Sequence, residues 1–170
     1  MSETIRPEQP HDVDAISAVV AAAFKSQNEA RLVEAIRASE HFVPAWSLVA
    51  ERNGRVVGHV MVSYTALGDG RVPMLSPLAV APDVHNQGIG GALVREVCAV
   101  VDAAGEPCVV LEGSPVYYSR FGFEPSAPLG IVLPLPDWAP PEAGQLLRLR
   151  NYDPALRGNI AYPPAFDDVT

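Results

Sequence analysis

Residues 74–105 read MLSPLAVAPDVHNQGIGGALVREVCAVVDAAG. An apolar run at 74–81 ends at Pro82-Asp83, a glycine-rich loop follows at 85–91, and the remainder is helical in pattern. Ile89, Leu93, Val94, Val97, Val100 and Val101 recur at helical spacing, with Arg95, Glu96 and Asp102 on the other side. Gly105 stands where a left-handed C-terminal residue is expected, and Pro107 lies just beyond it. Gly88, Gly90 and Gly91 remove side chains where a ligand would approach the backbone. Strand, glycine loop and helix in that order form an anion site, because loop amides and the positive end of the helix dipole converge.

The residues narrow the anion. A P-loop requires Lys and then Ser or Thr after its last glycine, and Ala92-Leu93 stand there. A dinucleotide fingerprint requires a third glycine where Leu93 stands, and an acidic residue near Cys108. A glycine turn before a helix also occurs with no ligand at all, so the glycines alone leave the site open.

The wider pattern is more specific. Leu78-Ala79-Val80, then Pro82-Asp83, then His85-Asn86-Gln87-Gly88-Ile89-Gly90 resembles the acyl-CoA loop of the GNAT superfamily of N-acetyltransferases, Gln/Arg-x-x-Gly-x-Gly/Ala. Downstream, Tyr118-Ser119-Arg120-Phe121-Gly122-Phe123-Glu124 matches that family's second signature, Tyr-x-x-x-Gly-Phe. The tail at 161–167 resembles a bacterial subgroup described only as predicted acetyltransferases.

The resemblance implies an α/β fold of the GNAT type in one domain over 1–170: a central, mostly antiparallel sheet, splayed between two parallel strands and flanked by helices. It implies acetyl-CoA as co-substrate, no metal, and direct transfer to a primary amine of a small-molecule or peptide acceptor. Main-chain groups around Leu78, Ala79 and Val80 would serve the acetyl carbonyl and the pantetheine. His85, Asn86, Gln87, Gly88, Ile89, Gly90 and Gly91 would hold the pyrophosphate. Tyr118 matches the usual general acid, and a phenol with an ordinary pKa of about 10 can protonate a thiolate at neutral pH. Tyr117 is expected to pack. The loop departs from the family at His85, where Gln or Arg is usual, and at Asn86, where Gly is common.

Acetyl transfer needs a held thioester, donors for the oxyanion, and a route for the ammonium proton. The base is unassigned among Glu29, His41, Glu112 and a water chain. Glu29 falls in the first turn of a helix, where the dipole favours a carboxylate, and the link before that helix lines the acceptor site in the resembled family. Glu112 follows a strand that faces the splay. Two rival readings remain: a non-catalytic acyl-CoA-binding regulatory module, and a nucleotide-phosphate binder.

Composition bounds the rest. The 170 residues, 48% apolar and 19% charged, suit a globular chain with a sizeable core, and the net charge of −8 argues against nucleic acid as a partner. Lys25 is the one lysine, which with abundant Ala, Val and Pro suggests a GC-rich bacterial genome. Cys98 and Cys108 read as core thiols and no cysteine–histidine cluster suggests a metal. The apolar stretch at 15–24 is too short to span a bilayer and no signal peptide is evident, so no membrane role and a cytoplasmic location are expected. An edge-to-edge homodimer is compatible with the chain.

In order, the pattern predicts an edge strand at 2–6, a helix to Phe24 capped by Asp12, a polar link at 25–28 and a second helix at 29–38. An irregular connector at 40–46 leads to strands at 47–52 and 55–64, joined by the turn signal Asn53-Gly54. After a loop at 66–70, the central strand starts at Arg71, and Pro77 must break or bulge its ladder. A strand at 107–111 runs parallel to it through a right-handed crossover. Ser114-Pro115 starts a short helix that Gly122 stops, 125–141 is a wrapped loop, and strands follow at 145–152 and 159–162.

Overall fold

The computed structural model describes residues 3–169. Strands β1 (Thr4–Pro7), β2 (Phe42–Arg52), β3 (Arg55–Leu67), β4 (Gly70–Val80) and β5 (Cys108–Glu112) lie side by side in that order. β8 (Gly144–Arg148) and β6 (Glu124–Pro125) continue the sheet, while β9 (Gly158–Ala161) pairs with the end of β3 and with β7 (Ile131–Val132). Pairings along the main path are antiparallel except β4 with β5. Helices α1 (Val13–Phe24) and α2 (Asn28–Arg37) connect β1 to β2. Helix α3 (Ile89–Ala103) forms the crossover between β4 and β5, and the one-turn helix α4 (Pro115–Tyr118) follows β5. Among the described residues no helix is long and apolar enough to cross a membrane.

The sheet opens in its middle. β4 and β5 share a single rung, Met74 with Val110. On the other side of β4, the register with β3 runs Val60 to Leu78 and then Val62 to Leu75, leaving Ser76 and Pro77 outside the ladder. Pro77 has no N–H to donate, so the bulge falls where the sequence places the missing donor. Beyond that rung the two parallel strands part.

Alternation on β3 sorts the two faces. A Cβ on Gly58 would lie 2.9 Å from Leu93 and 3.2 Å from Ile89, so that face packs directly on α3. His59, Met61, Ser63 and Thr65 point to the opposite face and are all buried.

Several boundaries differ from expectation. Residues 42–46 belong to β2 and are not a connector; a register break between Phe42 and Ser47 absorbs Pro44, and Trp46 is buried with its ring 5.2 Å from Tyr64. β3 extends to Leu67 and β4 begins at Gly70, so the expected loop shrinks to a tight turn. β1 pairs through Pro7, and the expected first residue, Ser2, lies outside the described residues. Asp12 precedes α1 without capping it, because its carboxylate accepts from Gln9 N and from Arg6. Pro107 delays β5 to Cys108, and the partner strand β8 accordingly ends at Arg148 rather than Tyr152. The proline-rich 125–141 wraps the sheet but contributes β7. Asn53 and Gly54 both have positive φ, 53° and 77°, as the two-residue hairpin turn demands.

Candidate functional site

The mouth of the split holds a cavity of about 590 Å³ between the end of β4, the glycine loop, the start of α3 and α4. Its geometry follows from three glycines. Gly88, at φ 83°, turns the chain into α3 and carries no side chain that could cap the helix. The first intrahelical bond runs from Ala92 N to Gly88 O, so the helix claims none of the amides of Ile89, Gly90 and Gly91. A Cβ at Gly90 would sit 2.7 Å from the Tyr117 hydroxyl, and one at Gly91 would sit 3.3 Å from Phe121. Hydrogen at these two positions lets α4 close against the helix start.

Of the residues singled out from sequence, Leu78, Val80, His85, Asn86, Gly88, Ile89, Gly90 and Gly91 line this cavity. Ala79 does not; it is buried on the other face of β4. Gln87 turns outward and accepts from Arg52 at 2.7 Å. His85 folds back, with Nε2 2.8 Å from the Val80 carbonyl. A carbonyl only accepts, so Nε2 carries the proton and ties the loop to the end of β4. Asn86 takes a left-handed φ of 63°, the role a glycine plays in the common version of the loop.

Tyr118 lies behind the cavity wall. Its ring packs edge-on against Tyr117 at 4.9 Å and Phe123 at 5.8 Å, and a Cβ on Gly113 would lie 2.8 Å from it. Burial, with Tyr117 and Cys98 adding smaller effects, pushes its phenol up to about 12. Tyr117, expected only to pack, puts its hydroxyl at the cavity, and burial raises its pKa as well.

Sequence reading missed Arg95, Arg120 and Phe121. Arg95 stacks 4.9 Å over Phe121 and Arg120 stacks 4.5 Å over Tyr117, whose carbonyl its Nε meets at 3.0 Å. Neither guanidinium has a carboxylate partner among the described residues, so both leave positive charge at the cavity rim. Helical spacing held the signal: Arg95 follows Gly91 by one turn, and Arg120 follows Tyr117 by about a turn.

The three side chains considered as bases stand on different segments and none lines the cavity. Glu29 keeps one buried oxygen without a partner at the start of α2. His41 lies beside Thr65, Ala66 and Arg71. Glu112, at the end of β5, accepts from the Tyr162 hydroxyl at 2.7 Å.

Comparison with known proteins gives this arrangement its family. Residues 4–126 match the model of the acetyltransferase (GNAT) domain. The uncharacterised N-acetyltransferase YjhQ of Escherichia coli K12 is 37% identical over 120 residues, 68% of this chain and 66% of that protein, so the match spans just under two thirds of that relative. The crystal structure of the GNAT family N-acetyltransferase YhbS from Escherichia coli, in complex with CoA, superposes with a TM-score of 0.89 at 31% identity, covering 98% of this chain and 93% of that one. A GNAT family acetyltransferase from Brucella melitensis, in complex with acetyl-CoA, superposes with a TM-score of 0.80 at 34% identity, covering 97% and 98%. With its split sheet, its uncapped helix and its glycine loop, the chain belongs to the GNAT acetyltransferase family.

Proposed function

We propose that this chain transfers the acetyl group of acetyl-CoA directly to a primary amine. The observation that carries the reading is the start of α3: three unclaimed amides, a helix dipole and two unpaired arginines face a cavity that opens at the split between β4 and β5. Such a wall suits a chain of phosphates, and the split suits a narrow arm carrying a thioester. Leu78 and Val80 border the arm, Gly88, Ile89, Gly90 and Gly91 take the pyrophosphate, and Arg95 and Arg120 add charge at its edge. His85, also on the cavity wall, ties the loop to the end of β4 through the Val80 carbonyl.

Tyr118 is the proposed acid. A hydroxyl held protonated by burial can give its proton to the departing thiolate, and a rotation or a ligand-driven repacking of the Tyr117–Tyr118 pair would bring it to the cavity. The acceptor is an amine of a small molecule or a peptide.

Calorimetric titration with acetyl-CoA, followed by thiol release against a panel of amines, tests the reading. Binding with amine-dependent release is the expected result. Binding with no release from any amine would transfer the case to a non-catalytic acyl-CoA module, and no binding would refute the site itself.

A further inference from the structure

A second cavity, of about 350 Å³, lies at the end of β5. Glu112 and Gly113, where the strand passes into α4, form one wall with Pro115; Trp138, Pro140 and Ala143 form the other. The walls are largely apolar, and Glu112 supplies their charge. Trp138 is 84% exposed, and an indole left in water beside a lined cavity marks a binding surface. Glu112 is held without being neutralised. It accepts from the Tyr162 hydroxyl at 2.7 Å. Burial first, and then the bond to Glu112, push that phenol up, so Tyr162 stays the donor. Among the described residues no arginine, lysine or histidine pairs with Glu112. The chain carries no basic residue between Arg120 and Arg148, so nothing from the second wall opposes a cation. A fixed carboxylate beside an aromatic face is a pair that recognises an ammonium.

The register ties this cavity to the split. On one edge Glu112 pairs with Gly144 of β8. On the other edge β4 has already left, because the two strands share only the Met74–Val110 rung, two residues earlier. Val110 packs with Met74 and Leu146, while Leu111 packs in the core that holds α3, so alternation turns Glu112 away from α3. Tyr118 lies between the two cavities. Gly113 lines the second, and a Cβ there would lie 2.8 Å from the Tyr118 ring. Tyr117 lines the first, with its ring edge-on to Tyr118 at 4.9 Å. The one-turn helix α4 therefore borders both, through Pro115 and through Tyr117.

We propose that this second cavity is the acceptor subsite and that it takes a small-molecule primary amine with an apolar body, the ammonium on Glu112 and the body against Trp138; this rests on the acetyl-transfer reading above. Size selects a small molecule over a peptide, since about 350 Å³ is near the lower end of small-ligand sites. Wall chemistry selects the apolar body over a polyamine, because Glu112 meets one cationic centre and the proline and alanine walls meet none. The nitrogen then lies beside the split, with Tyr118 between it and the cavity at the start of α3. In this arrangement Glu112 is a binding group and not the base.

The first test uses the full chain and no turnover. Phenylethylamine should bind and shield Trp138 from acrylamide quenching; Trp46, the other tryptophan, is 3% exposed and adds little to the signal. Phenylethanol, which keeps the ring without the charge, and ethylamine, which keeps the charge without the ring, should each bind about tenfold more weakly. Glu112→Gln, which still accepts from Tyr162, and Trp138→Ala, at an exposed position, should each weaken phenylethylamine by about tenfold. Equal binding of phenylethylamine and phenylethanol, or wild-type affinity in both variants, would overturn the subsite. In thiol release the loss in both variants should fall on KM for the amine, with kcat changed less. A fall in kcat at unchanged KM in Glu112→Gln would make that residue a base and overturn its binding role. Faster release with a peptide amine than with every small amine would overturn the substrate class. An active wild type with both variants indifferent sinks the subsite alone. If the wild type releases thiol with no amine, the acetyl-transfer reading falls and the acceptor role falls with it.

Discussion

Strand β4 has a different kind of chemistry on each side. Toward α3, the cavity is built mainly from main-chain groups: the amides at Ile89, Gly90 and Gly91, the carbonyl of Val80, and three glycines that clear the approach. Away from α3, the polar groups are side chains drawn from distant segments: Glu8, Arg37, Ser47 and His59 in one chain, and Glu112 with Tyr162 in another. A backbone-built site needs its residues consecutive, so it leaves a pattern in the sequence. A side-chain site needs only that the fold bring the residues together, so it leaves none.

The largest effect expected lies on the boundary between the two. Tyr118→Phe removes one hydroxyl and keeps the ring packed against Gly113 and Phe123. Turnover should fall about 100-fold while the calorimetric affinity for acetyl-CoA stays the same. With the phenol pushed up to about 12, it stays protonated across the working range, so wild-type turnover should show no alkaline loss from this group below about pH 10. Undiminished turnover in Tyr118→Phe would remove the residue from the chemistry and leave Tyr117, whose hydroxyl already faces the cavity, as the group to test.

The face behind β4 is expected to show itself in stability. The unfolded His59 ring titrates near its ordinary 6.5 and the folded ring near 3. Between those values the unfolded chain binds a proton that the folded chain refuses, so the contribution is complete above 6.5 and is lost as pH falls. By pH 5 the loss amounts to about 2 kcal/mol. Asp12, drawn down to about 2 by Arg6, loses its contribution only below its ordinary 3.8, outside this window. Denaturant unfolding at pH 6.5 and pH 5 should therefore differ in the wild type, and the difference should shrink in His59→Gln. An equal pH slope in both proteins would show that the ring is not held neutral.

How much of this was legible from sequence divides along the same line. The glycine loop, the stop of α3 at Gly105, the Asn53-Gly54 hairpin and the break at Pro77 each depend on a local backbone requirement, and each stands where the residues place it. Residues 40–46 read as an irregular connector, yet β2 starts at Phe42, with a register break before Ser47. His59 and Ser47 gave no signal: each is a lone polar residue in an apolar strand, and only the strand register reveals that they meet. Tyr117 was set aside because the Gly-Phe spacing selects its neighbour, and the contact with Gly90 is visible only once α4 is laid against α3.

On the backbone-built side, space is the variable. Gly90→Val puts a branched side chain where a Cβ alone would meet the Tyr117 hydroxyl at 2.7 Å and Val80 at 3.5 Å. The helix tolerates valine, so the chain should remain folded while acetyl-CoA affinity drops about tenfold as the cradle fills. Titration of the folded variant measures this. Wild-type affinity in Gly90→Val would mean that the ligand does not use the wall formed by Gly90 and Tyr117.

The smallest effect belongs to the two arginines, and it separates charge from shape on that wall. Arg95 and Arg120 are exposed, and each is held on an aromatic face rather than by a carboxylate. An exposed charge facing a phosphate is worth up to about 1 kcal/mol and is screened by salt. Arg120→Ala should therefore weaken acetyl-CoA binding no more than about fivefold at low ionic strength, and the difference from wild type should narrow when salt is raised. The amides at Ile89, Gly90 and Gly91 behave differently, since their geometry is fixed by the helix and salt does not remove it. If Arg120→Ala instead cost more than Gly90→Val and the cost persisted in high salt, the ligand would be held by side chains on this side of β4 too, and the contrast between the two faces would fail.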